Sequence, residues 1–587
     1  QIAYAHPPVR TTPQRRRQKG TSRSCDKTRR RQKAGEPIVS IAFWREGRNG
    51  FFWANNNYDR WATNTSLGGA LYTDVEQDDQ QIAFCPAYPG TPTPDCNYSN
   101  VLANGYAYRA IPCTRDLQDF FRLWVCGIDT NLIAKLPAGS TVTLNWGDVG
   151  SPNSGNPTID LFEAADADGG IGYLTNETVA TAQINPIQCP YIGRLAPGGS
   201  IQLNASQFNG WAGSHFIMCG VNYGKGGLNL TITDGSGNVL AQSTTYLQIL
   251  DIKQMYERWT VGDNPNITAT NVPYLATENL PPFTPAFRYT QPQDTNTAYI
   301  LHVHGFNMQT WEKDRYAETE FKRLYWQGYK GRFGEFRWPT TSKFYTKTFD
   351  DSESNAWASA KGLLNLLTNL NSQYPGKVYL TAHSHGNVVA GEALRLAGNN
   401  QVVNTYIAMQ GAVPAHSYDP TAPVRLLNST GVNLDSGTPN CYAQYYTTGA
   451  PCYFNSSAGA RTYVDFFNTN DWALTTLWRP DQDLKPDLGY GYDGTHFYSG
   501  YVSPFLTYLL FPVDTYTIFS YCDEARCQAI GAQANVGGVF STSRQIDLRQ
   551  SPYNFGDLHI YHSGEFRSDY PQRWQFWNQA MVQMNLK

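Results

Sequence analysis

Short segments of alternating apolar and polar residues run through the first half of the chain, across residues 38–260. Thr141–Trp146 and Thr158–Phe162 alternate with the two-residue period of strands that bury one face. Leu228–Gln242 holds two more such segments on either side of the turn residues Asp234–Gly237, which predicts a β-hairpin. Periodic helical segments are scarce here. We therefore predict an all-β, sandwich-like region of one or two domains.

The pattern changes after residues 261–293, a stretch rich in Pro and Asn that we interpret as a linker. Residues 294–587 alternate buried-strand and helical patterns, which predicts an α/β domain with a mostly parallel sheet flanked by helices. Two insertions are expected in it, at about 411–460 and 475–556. The predicted strands are Ala298–Val303, Lys377–Thr381, Thr405–Met409 and Tyr463–Phe467, and the predicted helices are Ala356–Leu370 and Val388–Ala397.

Charge is concentrated in a basic arm, residues 1–37. Residues 1–33 hold 11 of the 45 Lys and Arg residues and a single acid, Asp26, which leaves 34 bases against 47 acids in the rest. We interpret this arm as a flexible segment that is solvated or removed by proteolysis. The alternative is that it binds anionic polymers or membranes. Nothing else in the chain resembles a nucleic-acid-binding motif, so we expect no nucleic-acid partner.

Composition favours a secreted or cell-surface protein. Charged residues make up 16% of the chain, below the roughly 25% usual for soluble domains, and aromatic residues 14%. No apolar run is long enough for a transmembrane segment. The opening, Gln1–Pro8, shows no signal peptide and fits a processed mature end or an engineered start.

The 11 cysteines favour local disulfides and hence an oxidising compartment, because no spacing typical of a zinc site is present. Eight N-x-S/T sequons would permit glycosylation in a eukaryotic host, although many arise by chance in an Asn-rich chain. Cys25 has no neighbouring cysteine. The neighbouring pairs are Cys85/Cys96, Cys113/Cys126, Cys189/Cys219, Cys441/Cys452 and Cys522/Cys527.

The sharpest chemical signal lies between a predicted strand and a predicted helix, in Ala382-His383-Ser384-His385-Gly386. A nucleophile elbow needs small residues two before and two after the serine, because larger side chains would collide with the neighbouring strand and helix. Ala382 and Gly386 meet that need. We therefore predict that Ser384 is a nucleophile, at the positive N-terminal end of the helix that follows.

A second signal, His304-Gly305-Phe306-Asn307, ends the first strand of this domain. Gly305 permits a sharp turn, so that the Phe306 N–H could face a substrate carbonyl oxygen. The partner donor would be the N–H of His385. His302 and His304 alternate on the strand as metal ligands could, but without a carboxylate or Cys nearby we interpret them as packing or as support for the oxyanion loop, and we expect no metal.

The two signals together resemble the lipase/esterase-like branch of bacterial α/β-hydrolases, in which a V-H-G-[FYW]-N strand end precedes an A-H-S-x-G-N elbow. Phe336–Thr340 and Asp351–Ala356 are also similar to that branch. The resemblance covers about residues 299–415 well and the rest of the C-terminal half loosely. Departures are Ala382 in place of the commoner glycine, His385 after the serine, and the long insertions.

The resemblance implies the chain order nucleophile, acid, histidine. It places the acid after the strand that follows Thr405–Met409, where Asp471 is the candidate to hold the histidine tautomer. A turn Asp that caps the next helix is the alternative role for Asp471, and Asp465 is the alternative acid.

The resemblance places the histidine late in the chain, and His562, followed by Ser and Gly, is the candidate base. His559 lies in an alternating run that suggests a strand or its end. His496, in an aromatic insertion, is the third alternative.

Two further features suggest ligands without deciding for them. The aromatic stretch 411–459 is equally well interpreted as a lid beside the active site or as a small packed loop that contacts no ligand. Asp166–Gly170 and Asp481–Asp483 resemble fragments of calcium loops but lack the full spacing, so turn chemistry accounts for them better and a structural calcium stays an alternative.

These features predict a secreted serine hydrolase that acts on ester or lipid-like substrates through Ser384, Asp471 and His562, without a cofactor. An amidase or polyester depolymerase would use the same residues. The β-rich region would bind substrate surfaces, a cell envelope or other copies of the protein. The alternative from another class is an adhesive or filament-forming extracellular protein with an inactive hydrolase-like domain.

Overall fold

The computed structural model describes residues 42–45, 51–54, 117–126, 128, 133–148, 155–164, 169–176, 179, 191–208, 214–252, 255–261, 276–277, 298–306, 308, 310–340, 346–413, 418, 459–471, 474, 491–492, 497–498, 529–532, 540–553, 559–566 and 573–587. The basic arm, most of the interpreted linker and most of both expected insertions lie outside these residues.

The described residues of the first half are mostly strands of one nine-stranded sheet. In chain order these strands are β1 (Ala42–Arg45), β2 (Phe51–Ala54), β3 (Phe120–Cys126), β4 (Thr141–Gly147), β5 (Gly155–Glu163), β6 (Tyr191–Leu195), β7 (Ser200–Leu203), β8 (Ser214–Thr233) and β9 (Val239–Asp251). Short helical turns lie between them, among them α1 (Gly172–Thr175). The long β8 pairs antiparallel with β3, β4, β5 and β9. A two-layer sandwich stays a prediction.

Local patterns in this region form the strands that they predict, but the prediction that Thr158–Phe162 buries one face is wrong, because β5 is buried on both faces there. On β4, Val142, Leu144 and Trp146 are buried in strict alternation. The hairpin between β8 and β9 closes through the Asp234 N–H, which donates to the Asn238 carbonyl oxygen (2.9 Å). The predicted hairpin is therefore present.

The second half is organised by an eight-stranded sheet. Its strands are β10 (Glu257–Thr260), β11 (Ala276–Thr277), β12 (Tyr299–Val303), β13 (Arg332–Arg337), β14 (Val378–His383), β15 (Val403–Met409), β16 (Ala460–Phe467) and β19 (Gln545–Asp547), in the order β11-β10-β13-β12-β14-β15-β16-β19. β17 (Gly491–Tyr492) and β18 (Phe497–Tyr498) pair separately. Every neighbouring pair in the large sheet is parallel except β10 and β11.

Helices cover this sheet on two sides. They are α2 (Thr310–Trp326), α3 (Thr346–Gln373), α4 (Gly386–Leu396) and α5 (Arg573–Gln583). The apolar residues of α3 and α4 share one core cluster, and those of α2 and α5 share another. A largely parallel sheet between two helical layers agrees with the predicted α/β domain.

Two predicted elements differ from the observed ones. The helix α3 begins ten residues before Ala356, because its first turns carry mostly polar residues and so show no apolar period. The prediction of a strand at His559 is wrong: His559–Phe566 forms two short 3₁₀ turns that meet at Ser563. The alternation there is too short to distinguish a strand from a tight helical turn.

The two halves share one core. Trp53 of β2 contacts Tyr325 of α2 edge to face (5.0 Å between ring centroids), and Phe121 of β3 stacks on Trp326 (5.4 Å). Beside these rings, the Lys322 ammonium lies 2.9 Å from the buried Asp119 carboxylate. One face of α2 is therefore covered by the N-terminal region.

The chain also enters the second sheet earlier than its composition suggests. Glu257–Thr260 lies within the part of the sequence assigned to the β-rich region, yet as β10 it pairs in parallel with β13. Of the cysteines with described side chains, Cys219 is buried on β8. Each neighbouring pair includes a cysteine outside the described residues, so the disulfides stay predictions.

Candidate active site

Ser384 occupies a sharp turn between β14 and α4. Its φ of 50° lies in the left-handed region, which residues other than glycine rarely adopt. The Ser384 N–H donates to the carbonyl oxygen of Met409 on the neighbouring β15 (3.0 Å). The sheet therefore holds the strained residue in place, in the strand-to-helix turn that its neighbours in sequence predict.

Close packing against β12 requires the small residues around this turn. A Cβ atom at Gly386 would lie 2.7 Å from the carbonyl oxygen of Val303, and closer still to that of His304. Ala382 is fully buried on β14, where it pairs with Val303 on one side and Ala408 on the other. A larger side chain at either position would push the turn away from the sheet.

Asn387 supports the turn from within α4. Its Nδ2 group donates to the carbonyl oxygens of Ala382 (3.1 Å) and Ser384 (2.8 Å). Its Oδ1 accepts a hydrogen bond from the Tyr406 hydroxyl (2.5 Å). Asn387 is the last residue of the A-H-S-x-G-N pattern, but the sequence alone did not indicate this supporting role.

The three residues proposed as a triad are joined by hydrogen bonds. His562 Nε2 lies 2.7 Å from Ser384 Oγ, and His562 Nδ1 lies 2.7 Å from Asp471 Oδ2. Because an ionised carboxylate only accepts hydrogen bonds, Nδ1 carries the imidazole proton, and Nε2 is left to accept from the serine hydroxyl. Asp471 is fully buried, whereas 18% of the His562 side chain is exposed.

Asp471 is held by two further donors. Its Oδ2 accepts a hydrogen bond from Gln410 Nε2 (2.6 Å), and its Oδ1 accepts from the Leu474 N–H (3.2 Å). The bond to Leu474 is the helix-capping contact that the sequence suggested as an alternative role. One carboxylate therefore caps the next turn and orients the histidine.

Asp465, the alternative acid, is not part of this chain of hydrogen bonds. Asp465 is buried on β16, and neither of its carboxylate oxygens has a hydrogen-bond partner. Burial raises the pKa of Asp465 well above its usual value. His559 begins the 3₁₀ segment that carries His562, and His496 lies outside the described residues.

The predicted oxyanion loop packs directly on the serine. A Cβ atom at Gly305 would lie 3.1 Å from Ser384 Cβ and 3.1 Å from His383 Nδ1. The Phe306 ring lies 6.0 Å from the ring of His385. Burial lowers the pKa of His385 to about 3, so this ring is neutral beside the serine.

His304 fixes the peptide between Gly305 and Phe306. Its ring stacks on Trp338, with 5.3 Å between centroids, and its Nε2 accepts from the Trp338 N–H (3.1 Å). Nδ1 therefore carries the proton and donates to the Gly305 carbonyl oxygen (2.9 Å). In a planar trans peptide the N–H points away from the carbonyl oxygen. The Phe306 N–H is thus turned away from His304.

The interpretation of His302 as lacking a carboxylate companion is wrong. Glu320 of α2 places Oε2 2.7 Å from His302 Nδ1, and both side chains are fully buried. Thr381 donates to the other oxygen of Glu320 (2.8 Å). His302 and Glu320 are 18 positions apart, on a strand and on a helix, so the sequence does not show that they are neighbours. In the described ranges no group of three or more His, Cys, Asp and Glu side chains is placed to hold a metal ion.

Several sequence features lie where the structure gives no description. The aromatic residues expected to form a lid, and Asp481–Asp483, fall outside the described residues, as do Asp166–Asp168. The lid and the structural calcium therefore stay alternatives.

Part of the C-terminal half matches a known family model. Residues 286–412 match the family model described as "Alpha/beta hydrolase of unknown function (DUF900)". This match confirms the resemblance to α/β-hydrolases for the C-terminal half. It includes the oxyanion loop and the elbow, and it ends before Asp471 and His562. No curated protein matches the chain.

Proposed function

We propose that this protein is a serine hydrolase that cleaves carboxylic esters through Ser384, His562 and Asp471. The observation that carries the proposal is the continuous chain of hydrogen bonds from the Ser384 hydroxyl through His562 to the buried Asp471 carboxylate. The hydrolase-like domain supports it, because three side chains separated by up to 178 positions meet at the elbow of that domain.

In the proposed first step, His562 Nε2 takes the Ser384 proton as Oγ attacks the ester carbonyl carbon. Asp471 stabilises the imidazolium that forms. The tetrahedral intermediate then collapses, His562 gives the proton to the leaving alcohol, and an ester between Ser384 and the acyl group remains. A water molecule, deprotonated by His562, attacks this acyl-enzyme in the same way and releases the acid.

The negative charge on the substrate oxygen would be stabilised by the main-chain N–H groups of Phe306 and His385. Supporting this, the Gly305 carbonyl is held by His304 on the side away from the Phe306 N–H. His385 precedes the first residue of α4, where backbone N–H groups have no acceptor within the helix. Removing one such donor elsewhere costs roughly 10²–10³-fold in rate.

We further propose that the protein acts outside the cell, on an ester or lipid-like substrate, as its low charge and its cysteines suggest. The β-rich region is proposed to attach the protein to a surface or to other copies. None of the helices in the described ranges is long and apolar enough to span a membrane.

The test is labelling with a fluorophosphonate probe, which reacts with activated serines, followed by peptide mapping. Wild-type protein is expected to be labelled at Ser384, and Ser384→Ala is expected to lose the label. Ser372→Ala, which removes an exposed hydroxyl on α3, is the matched control and should label normally. Hydrolysis of p-nitrophenyl esters of increasing acyl length would then define the substrate.

Folded wild-type protein that is neither labelled nor able to cleave a small p-nitrophenyl ester would contradict the proposal. That result would favour the adhesive or filament-forming role, which electron microscopy of the purified protein would then test.

A further inference from the structure

The residue before the nucleophile contacts the main chain of the histidine. His383, at the end of β14, places Nε2 2.8 Å from the carbonyl oxygen of His562. Only 2% of the His383 side chain is exposed. A carbonyl oxygen only accepts hydrogen bonds, so this contact requires the proton of the His383 ring to be on Nε2.

Other polar groups near His383 Nε2 are farther away. Ser563 Oγ lies at 3.5 Å and the Glu565 carboxylate at 3.8 Å, the latter beyond hydrogen-bond length. The ring of His383 also packs against the rings of Phe566 (5.2 Å) and His562 (5.1 Å). Burial lowers the pKa of His383 well below its usual value, and the neighbouring His562 adds to the effect. A neutral ring has one proton to donate, and the His562 carbonyl is the nearest acceptor.

The segment that carries His562, residues 559–566, is stabilised by hydrogen bonds from other elements. Its two 3₁₀ turns are interrupted at Ser563, where φ is −136° and ψ is 30°. Beyond the interruption, the Glu565 carbonyl accepts hydrogen bonds from Arg323 and from the Trp577 indole (2.9 Å). His383 acts on the other side of the interruption, at the carbonyl of the proposed base itself.

We propose that His383 is a positioning residue, whose Nε2–H holds the His562 carbonyl and so sets the distance from the imidazole to the Ser384 hydroxyl. The inference rests on the proposed hydrolase function. The strand that presents the nucleophile thereby also fixes the base, through adjacent residues. The hydrogen bond from His562 to Asp471 orients the ring, and the bond from His383 fixes the backbone from which the ring extends.

A pair of substitutions separates this role from simple filling of space. Gln and Met have similar length and volume, but the Gln side chain has an N–H donor near the position of Nε2 and Met has none. We expect His383→Met to lower kcat by about 10–100-fold with little change in KM, because a misplaced catalytic group reduces the rate rather than binding. His383→Gln should recover most of that loss.

A second readout does not depend on activity. Amide hydrogen exchange in the peptide that covers 559–566 should be faster in His383→Met than in wild-type protein, and near the wild-type rate in His383→Gln. Equal exchange and equal kcat in the Met and Gln variants would overturn the inference. If wild-type protein cleaves no ester but the exchange difference is found, the hydrolase proposal fails while the contact from His383 stands.

The ring tautomer of His383 in wild-type protein provides the check if the Met variant does not fold. The chain has 10 histidines, so ¹⁵N-histidine NMR with His383→Gln as the assignment reference is practicable. A proton on Nε2 supports the inference, and a proton on Nδ1 alone overturns it, because Nε2 could not then donate.

Discussion

Each oxygen of the Asp471 carboxylate faces a donor. Oδ2 receives hydrogen bonds from His562 and Gln410, and Oδ1 receives one from the Leu474 N–H. The carboxylate therefore cannot rotate without losing several hydrogen bonds at once. Both carboxylate oxygens are therefore used as hydrogen-bond acceptors at this position.

Asp471→Asn is expected to reduce kcat by about 10³–10⁴-fold, as the loss of the orienting acid does in serine proteases. The amide NH₂ group would donate to His562 and favour the tautomer that cannot accept the Ser384 proton. Steady-state kinetics on a p-nitrophenyl ester measure the effect. Asp547→Asn, at the edge strand β19, is the matched control. A loss of less than about tenfold would mean that Asp471 does not orient the base.

Asp465 offers a prediction about stability. Its carboxyl is buried without a hydrogen bond, and burial raises its pKa well above the usual value. The folded protein keeps a proton that the unfolded chain releases above about pH 4. The contribution of Asp465 to the free energy of unfolding is therefore fully present below that pH. It is lost as pH rises toward the folded-state pKa, by up to about 1.4 kcal/mol per pH unit.

Asp465→Asn removes this titration. We expect the free energy of unfolding of the variant, relative to that of wild-type protein, to increase as pH rises from about 4 to 8. Urea denaturation at several pH values measures the difference. Parallel pH profiles for the two proteins would show that the Asp465 carboxyl has similar pKa values in the folded and unfolded states.

At the scale of elements, the elbow and the oxyanion loop are one packed unit. Gly386 of α4 lies against the end of β12, and Gly305 lies against Ser384. Neither loop can shift without displacing the other. The geometry of the proposed catalytic site therefore depends on the contact between the end of β12 and the start of α4.

Gly386→Ala tests this contact. The added methyl group would meet the carbonyl oxygens of Val303 and His304, which belong to the backbone and cannot rotate away. We expect a loss of kcat of about 10²-fold, the size typical of a displacement near 1 Å. Gly193→Ala, where the new methyl group would lie 3.4 Å from flexible atoms of Ile201, is the control in a strand. Unchanged activity in Gly386→Ala would show that the two loops move independently.

The sequence predicted those parts of the fold and site that have a local period or a fixed spacing. The buried strands before Ser384 and before Gly305 are mostly apolar, and the small residues around the serine follow from the turn itself. Asp471 and His562 lie on distant elements and were named from the chain order that the resemblance implies. Other partners from distant elements were missed. Glu320, which lies on α2, and the contact of His383 with the His562 segment depend on tertiary packing, which has no signature in a single sequence.

At the scale of the whole molecule, α2 holds two distant parts of the protein. On one side its Trp326 packs on Phe121, and the Trp326 indole donates to the carbonyl oxygen of Gln118 (2.9 Å). On another, its Arg323 binds the carbonyl oxygens of Glu565 and Phe566, just after the proposed base. The N-terminal region and the segment of His562 are therefore held by the same helix.

Trp326→Ala is expected to destabilise the protein by about 3–5 kcal/mol, the usual cost of removing a buried aromatic side chain. Because the core is shared, both halves should unfold in a single transition at a lower denaturant concentration. Circular dichroism and tryptophan fluorescence during urea unfolding provide the measurement. The exposed Val582→Ala is the control and should change stability by less than about 0.5 kcal/mol. Two separate transitions in wild-type protein would contradict the shared core.

The strand β10 leaves the N-terminal region and enters the second sheet before the Pro- and Asn-rich stretch begins. A single proteolytic nick between Thr277 and Ala298 would therefore not divide the protein into its two compositional halves. The upstream fragment would keep β10 bound to β13, and its aromatic residues would stay buried against α2. The two fragments would migrate together on a sizing column and separate only in denaturant, and when expressed as independent polypeptides they would be candidates to reassemble by complementation.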